Sequence, residues 1–161
     1  MRLASKWILL APLSALCCPA LPQASQQPTI TIDSKSAAVK SGEPIHVHIV
    51  LKNTTDREFT IFRSVGGGRG EQYYSISVID PGGNPAAPTE YGAAARKQQA
   101  VPGSRIMKTI APGADVAEYV FINEMFDMTG AGTYVVQVSR ASPFDPTVIL
   151  KSNTLAITVS N

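Results

Sequence analysis

Apolar and polar side chains alternate with a period of two residues along most of the chain after residue 28. That period is typical of half-buried β-strands, because successive side chains of a strand point to opposite faces of a sheet. The longest alternating run has an apolar face that carries Ile45, Val47, Ile49 and Leu51. Its polar face carries His46, His48 and Lys52. The pattern predicts a strand whose first face is buried and whose second face meets solvent.

Further alternating runs predict additional strands. They cover residues 30–32, 59–62, 74–78, 116–122, 134–138, 148–150 and 155–159. Between the runs lie turn-forming clusters of Gly, Pro, Asn and Asp, at residues 41–44, 53–56, 80–84 and 111–113. Short strands separated by such turns favour an all-β sandwich of roughly seven to nine strands.

One short run sharpens this prediction. Gly132-Thr133-Tyr134-Val135-Val136 resembles the Gly-x-Tyr-x-Cys run of strand F in immunoglobulin domains, where the tyrosine hydroxyl bonds back to the backbone. Val136 stands in the cysteine position, and Gly130 stands where those domains have an aspartate. A core tyrosine after a glycine turn is the alternative interpretation. The resemblance implies an immunoglobulin-like antiparallel β-sandwich over residues 28–160, with no disulfide.

The start of the chain, residues 1–24, has the order of a secretory signal peptide. Arg2 and Lys6 precede an apolar run over residues 7–16, and small residues with prolines follow it. This run is too short for a helix that crosses a bilayer, which needs roughly 20 residues. We therefore predict cleavage near Ala20 to Ala24 and a secreted or periplasmic protein. An uncleaved membrane anchor is the alternative.

Cleavage there changes the chemistry of the chain. Cys17, Cys18 and Trp7, which are all the cysteines and tryptophans, lie in the removed segment. The segment also holds two of the 14 basic residues and none of the 12 acidic ones, so the net charge falls from +2 to zero. A domain without cysteine is stabilised by its core and not by disulfides. Zero net charge argues against nucleic acid as a partner, because such binding depends on clustered cations. No transmembrane segment is expected after removal of the signal.

Residues 81–105 form the longest stretch without a strand pattern and are rich in Pro, Gly and Ala. Loops beyond about 12 to 15 residues are usually functional or disordered. Two interpretations stay open: a short helix that covers an edge of the sandwich, or a binding loop. The candidate binding residues are Tyr91, Arg96, Lys97 and Arg105. Presentation of this loop to a protease would make the protein a protease inhibitor.

His46 and His48 are the two histidines of the chain, and their spacing places both imidazoles on one face of a strand. Copper or zinc would need a third ligand, either a carboxylate or one of Met107, Met125 and Met128. A periplasmic copper-binding carrier is therefore an alternative function. Two polar residues on the solvent face of a strand are the simpler interpretation, so we expect no metal and no cofactor.

Catalytic motifs are missing, since neither Gly-x-Ser-x-Gly nor His-Glu-x-x-His occurs in the sequence. The glycine run at residues 66–70 lacks the order of a phosphate-binding loop and is more typical of a hairpin turn. Asn53-Thr54-Thr55 fits a glycan acceptor and, more simply, a turn. Tyr73, Tyr74 and Tyr91 are the aromatic residues considered as platforms for a sugar ring. We expect a protein that is not an enzyme.

Several runs between Pro28 and Val159 follow one another in a distinctive order and spacing. They are Ser41-Gly42-Glu43-Pro44-Ile45, Leu51-Lys52-Asn53-Thr54-Thr55, Val78-Ile79-Asp80-Pro81-Gly82, Thr89-Glu90-Tyr91-Gly92, Ala111-Pro112-Gly113, Phe126-Asp127-Met128, residues 130–134, Val138-Ser139-Arg140 and Lys151-Ser152-Asn153-Thr154. This order resembles an uncharacterised group of secreted bacterial proteins, frequent in acidobacteria, with one immunoglobulin-like domain behind a signal peptide. The group usually has Pro-Gly before the strand-F tyrosine, where this chain has Ala131-Gly132. The resemblance implies the fold and the compartment and transfers no catalytic residue.

Together these patterns predict a secreted or periplasmic, non-enzymatic binding or structural module of the cell envelope. The predicted partner is another envelope or extracellular protein, and neither nucleic acid nor anionic lipid is expected. The patterns name no ligand and no oligomeric state.

Overall fold

A computed structural model describes residues 27–64, 73–97 and 105–161. The predicted signal peptide, the glycine run 66–70 and residues 98–104 lie outside these ranges. The described residues form ten strands and two helices. The strands are β1 (Thr29–Asp33), β2 (Ala38–Lys40), β3 (His46–Lys52), β4 (Phe59–Ser64), β5 (Ser75–Ile79), β6 (Arg105–Ile110), β7 (Asp115–Phe121), β8 (Gly132–Ala141), β9 (Ile149–Lys151) and β10 (Leu155–Ser160). The helices are α1 (Glu90–Lys97) and α2 (Ile122–Met125).

The strands build an immunoglobulin-like, mainly antiparallel β-sandwich, which confirms the predicted fold class, although the described residues hold ten strands and not the predicted seven to nine. Among the described residues, one sheet has the strand order β1-β3-β7, and the other has the order β2-β10-β8-β5 with β9 also paired to β8. A two-stranded ribbon of β4 and β6 accompanies them. The pairs are antiparallel except for β2 and β10, which run parallel.

Two of the ten strands, β2 and β6, were not predicted from the alternation of apolar and polar residues. β2 has three residues and buries only Val39. In β6, Ile110 is buried while residues 106–109 are exposed. β2 is too short to be predicted from alternation, and in β6 the apolar residues Ile106 and Met107 are adjacent and do not alternate with polar ones.

The register predicted for the longest alternating run, which forms β3, is confirmed. Val47, Ile49 and Leu51 of β3 are fully buried, and Ile45 just before the strand is buried with them. Because the period is two, the same register turns His46 outward, and His48 is only half-buried. The core between the sheets therefore fixes the direction of both histidines.

The corner before β8 has the geometry that the resemblance to strand F implies. The Tyr134 hydroxyl donates a hydrogen bond of 3.0 Å to the carbonyl of Gly130. Burial raises the pKa of this tyrosine, so the hydroxyl stays a donor at neutral pH. Gly132 has a φ of +137°, and a Cβ there would lie 2.6 Å from the Pro81 ring, so only glycine fits. Val136, in the place of the cysteine, is fully buried.

The first two strands of the domain, β1 and β2, belong to different sheets. β1 pairs with β3 in one sheet, whereas β2 pairs with β10 in the other. Asn153, just before β10, ties the sheets together at this point. Its amide donates to the Ile32 carbonyl over 2.9 Å, and its carbonyl accepts from the Ile32 amide over 2.9 Å.

The predicted loop 81–105 contains helix α1 and ends at the first residue of β6. Thr89 caps α1 by accepting a hydrogen bond of 3.0 Å from the Gly92 amide. Gly92 then packs directly on α2, where an added Cβ would lie 2.0 Å from the carbonyl oxygen of Met125. Of the two open interpretations, the structure therefore contains the short helix. Neither helix of the described residues has the length and apolar character needed to span a bilayer.

Candidate functional site

The outer face of the β1-β3-β7 sheet carries a row of polar and aromatic side chains. The strand register places His48 opposite Asp33 of β1 on one side and opposite Tyr119 of β7 on the other. It places His46 opposite Phe121 in the same way. Hydrogen-bonded strands hold these side chains side by side, so their spacing is set by the sheet.

Contacts within the row fix the orientation of the His48 ring. Its Nδ1 atom lies 3.2 Å from the Asp33 Oδ2 atom, and the ring stacks on Tyr119 with centroids 4.7 Å apart and planes 21° apart. An ionised carboxylate only accepts hydrogen bonds, so Nδ1 carries the hydrogen in the neutral ring. The Nε2 atom is then left as an acceptor at the other side of the imidazole.

The neighbouring pair is arranged similarly. The His46 and Phe121 ring centroids lie 4.2 Å apart, with the planes tilted by 58°. Tyr119 is 50% exposed and Phe121 is 37% exposed, although both are large aromatic residues. Each ring is held in contact with a histidine, so the two rings offer rigid apolar area at the surface, and Tyr119 adds a hydroxyl.

A cleft of about 410 Å³ opens next to this row, and we call it the His48 cleft. One wall is the connection between β1 and β2, and the other is the start of β3 with its partner on β7. The lining residues are Asp33, Ser34, Lys35, Ser36, Val39, Pro44, Ile45, His46, His48 and Tyr119. The volume falls within the range of small-molecule sites, and the lining combines apolar walls with a few polar groups.

The loop residues predicted as binding candidates lie elsewhere. Tyr91 is partly buried and packs against the hydrophobic core, so most of its ring is not available as a platform. Arg96 and Lys97 close α1, and Arg105 opens β6, while the side chains of these three residues lie outside the described part. The structure brings together His46 and His48, as the spacing predicts.

Few described side chains near the two histidines could act as further metal ligands. No group of three or more His, Cys, Asp or Glu residues suited to a metal ion occurs in the described part of the chain. Met125 and Met128, considered as a third ligand, are buried in the core, while Met107 is 70% exposed on β6. Asp33, the nearest carboxylate, is already hydrogen-bonded to His48 through Nδ1.

A catalytic arrangement would need a hydroxyl in contact with the free nitrogen of His48. In the described residues no side-chain hydroxyl bonds to that nitrogen. The Ser34 hydroxyl, which lines the cleft, donates instead to the Ser36 carbonyl over 3.1 Å. The pair of Asp33 and His48 therefore joins an orienting carboxylate to a base, and no hydroxyl of the described residues is hydrogen-bonded to that base.

Three residues of the polar and aromatic row beside the cleft were not predicted from the sequence: Asp33, Tyr119 and Phe121. The sequence did contain a sign of the two aromatic residues. They alternate with the buried residues Val116 and Val120 in β7 and so lie on its solvent-facing side. An aromatic residue in a polar phase marks an exposed apolar surface. Asp33 has no such signal, since its position beside His48 depends on the pairing of β1 with β3.

Comparisons with known proteins leave the family open. No protein-family model and no curated protein matches the chain. Among solved structures, it is similar to the Pseudomonas fluorescens alkylpurine DNA glycosylase AlkC bound to DNA containing an abasic site analog, with a TM-score of 0.42 and 13% identity. The match covers 84% of this chain and 31% of that protein, so the chain spans about a third of the glycosylase. At this distance the likeness assigns no activity to the chain.

The predicted partners find no support in this comparison: the matched structure is of a DNA-bound protein, and at this distance it assigns no partner to the chain either. The exclusion of nucleic acid and the choice of another envelope or extracellular protein are both withdrawn. The exclusion rested on a net charge of zero, which is an average over the chain. An average does not describe local charge, and cations on one part of a surface are compatible with zero net charge.

Proposed function

We propose that the protein is an exported, non-enzymatic binding module of the cell envelope that binds a small polar ligand in the His48 cleft. The order of basic, apolar and small residues in the first 24 positions supports export. The row of Asp33, His48 and Tyr119 carries the assignment of the site. It joins a carboxylate, an oriented imidazole and a half-exposed aromatic ring on adjacent strands.

The chemistry of this row suits a ligand with hydroxyl groups on one side and an apolar face on the other, such as a sugar ring. Asp33 and the Nε2 atom of His48 accept hydrogen bonds from hydroxyls, and the Tyr119 ring supports the apolar face. Because the strands and the stacking already hold these groups in place, little side-chain freedom is lost on binding. The missing nucleophile beside His48 favours binding over catalysis.

Titration of the 15N-labelled protein with cellobiose and with N,N′-diacetylchitobiose tests the proposal. We expect saturable amide shifts in β1, β3 and β7, centred on His48, and loss of these shifts in Tyr119→Ala. Ile149→Ala is the matched control, because Ile149 is a similarly exposed apolar residue, 54% exposed, on β9. Binding of neither sugar at the cleft, or equal binding by Tyr119→Ala, would contradict the proposal.

The two alternatives receive less support. An inhibitory loop is held extended in its protease, whereas α1 makes residues 90–97 of the predicted loop helical. A copper carrier would use His46 and His48, whose described surroundings hold no third ligand beyond Asp33. Addition of copper to the same labelled protein separates this alternative, since a carrier would lose its response in the double variant His46→Gln and His48→Gln.

A further inference from the structure

Charged groups occupy core-facing positions between the two sheets. Arg140 lies in β8 in phase with the buried residues Val136 and Val138. Glu118 lies in β7 in phase with the buried valines of that strand and is 6% exposed. Burial of an unpaired charge lowers the stability of the folded state, so each of these charged groups requires a partner.

Glu118 has its partner in Arg63 of β4. The Arg63 Nε atom donates to the Glu118 Oε1 atom over 3.1 Å, and its Nη2 atom donates to the Ala117 carbonyl over 3.0 Å. This pair is neutral as a whole. Neither of these two hydrogen bonds involves Arg140.

Arg140 lies over the ring of Tyr74, with the guanidinium carbon 5.3 Å from the ring centroid. Its Nε and Nη1 atoms are buried and make no hydrogen bond of normal geometry among the described residues. The Tyr74 hydroxyl is also buried, and the residue is only 6% exposed. It lies close enough to the Arg140 guanidinium to interact with it, but it makes no hydrogen bond of normal geometry within this part. Buried donors without well-placed acceptors destabilise the folded state, which favours an acceptor at this place.

A cavity of about 290 Å³ lies at these atoms, lined by Tyr73, Tyr74, Ser75, Arg140 and Ala141. We propose that this Arg140 cavity binds an oxyanion, either free or at the end of a larger molecule. The planar guanidinium presents parallel N–H groups that match two oxygens of a carboxylate, phosphate or sulfate. The Tyr74 hydroxyl supplies a further donor. The proposal shares no lining residue with the His48 cleft and does not depend on the function proposed for it.

The electrostatics of Tyr74 agree with a donor role. Burial, followed by the nearby charge of Glu118, raises the pKa of its hydroxyl above the ordinary value of 10.0. The hydroxyl therefore keeps its hydrogen throughout the physiological range. It can donate to an anion without competing for the same proton.

Thermal unfolding of the purified protein in sodium phosphate tests the site, with sodium chloride at equal ionic strength as the reference. A bound anion stabilises the folded state by mass action, so we expect a saturable rise in melting temperature of about 5 °C at ten times the dissociation constant. A parallel titration with glycerol phosphate separates the two sources of the anion. Tighter binding of the ester indicates the end of a larger molecule, and equal or weaker binding indicates the free anion.

Substitutions test whether the rise in melting temperature comes from phosphate bound at the Arg140 cavity. Arg140→Gln should abolish it, and Tyr74→Phe should weaken phosphate affinity by about tenfold. Arg57→Gln is the control, because the Arg57 guanidinium lies 4.6 Å from the Phe144 ring centroid and so loses the same kind of ring contact at another place. If Arg140→Gln does not fold, the Arg140 Nε–H resonance of the unaltered protein should still shift on addition of phosphate.

Two results would overturn the proposal. One is a response to phosphate no larger than the response to chloride, which is also expected if a carboxylate of the chain itself fills the cavity. The other is an equal response in Arg140→Gln and in the unaltered protein.

Discussion

At the scale of single residues, short polar side chains complete the turns that connect the strands. Asn53 is fully buried, and its amide nitrogen donates to the carbonyls of Arg57 and Ile110 over 2.7 and 3.0 Å. Its carbonyl accepts from the amide and the hydroxyl of Thr55 over 3.0 and 2.7 Å. A nitrogen used in this way is no glycan acceptor, so the turn interpretation of this run is confirmed.

An aspartate and a threonine two residues later form the same motif twice. The Asp127 Oδ1 atom accepts from the Thr129 amide and hydroxyl over 3.1 and 2.7 Å, and Asp145 does so from Thr147 over 2.9 and 2.7 Å. Hydrogen bonds to the charged form favour it, so these bonds lower the pKa of both carboxyls below the ordinary value of 3.8. The motif therefore makes the two turns sensitive to acid.

Replacement of Thr129 by Val should raise the pKa of Asp127 toward 3.8, because the hydroxyl bond is the largest cause of the lowering. A carboxyl with a lowered pKa stabilises the fold above the ordinary pKa, and the contribution is lost as the pH falls through the folded value. The variant should therefore lose less stability than the unaltered protein as the pH falls below 3.8. An NMR titration of the side-chain carboxyls measures this, and Thr147→Val, which should shift Asp145 alone, is the control. An unchanged Asp127 titration would show that the hydroxyl is not the cause.

At the scale of elements, close packing of α1 on α2 depends on the absence of a side chain at Gly92. The methyl group of an alanine would meet the Met125 carbonyl at 2.0 Å. The backbone would have to move, because that oxygen does not belong to a flexible side chain. This contact fixes the part of the segment 81–97 that precedes β6.

Gly92→Ala should lower the free energy of unfolding by about 1–3 kcal/mol through overpacking, although alanine is the better helix former. Urea unfolding followed by circular dichroism measures the loss. Ala94→Gly is the control at an exposed position of the same helix, where only helix propensity changes and a loss of about 1 kcal/mol is expected. A Gly92→Ala protein that is as stable as the unaltered one would contradict the packing argument.

The ion pair between β4 and β7 permits a second test at this scale. Arg63→Met leaves the Glu118 carboxylate buried beside an apolar side chain and should cost about 3–5 kcal/mol in urea unfolding. The double variant Arg63→Met and Glu118→Leu removes both charges and should recover most of that loss. If the double variant is as unstable as the single one, the cost does not come from the buried charge.

Prediction from the sequence succeeded for elements with regular alternation and failed where position depends on pairing. β3 and its register follow from four apolar residues in phase, and α1 follows from an alanine-rich segment. The site could be predicted from the sequence only in part. His46 and His48 share a strand, whereas their neighbours Asp33, Tyr119 and Phe121 come from other strands. The strand order that brings these residues together is a property of the whole sheet and has no local signal.

At the scale of the whole molecule, the proposed export is open to a direct test. Production of the full chain in a bacterium with an export pathway should yield a protein that begins at Leu21 or Ser25 in the periplasm or the medium. N-terminal sequencing and mass spectrometry measure this. A chain that keeps Met1 and stays in the cytoplasm would contradict export, and one that keeps it in the membrane fraction would indicate the uncleaved anchor.

The parallel pairing of β2 with β10 has a mechanical consequence. The two strands lie side by side and point in the same direction, and β2 is joined to the earlier part of the chain while β10 leads out of the domain. A force that pulls the segment before β2 away from the segment after β10 loads the hydrogen bonds between them in shear. These bonds then share the force and break together, whereas a hairpin pulled from its open end would unzip one bond at a time. This parallel pairing therefore resists stretching of the domain along its own chain.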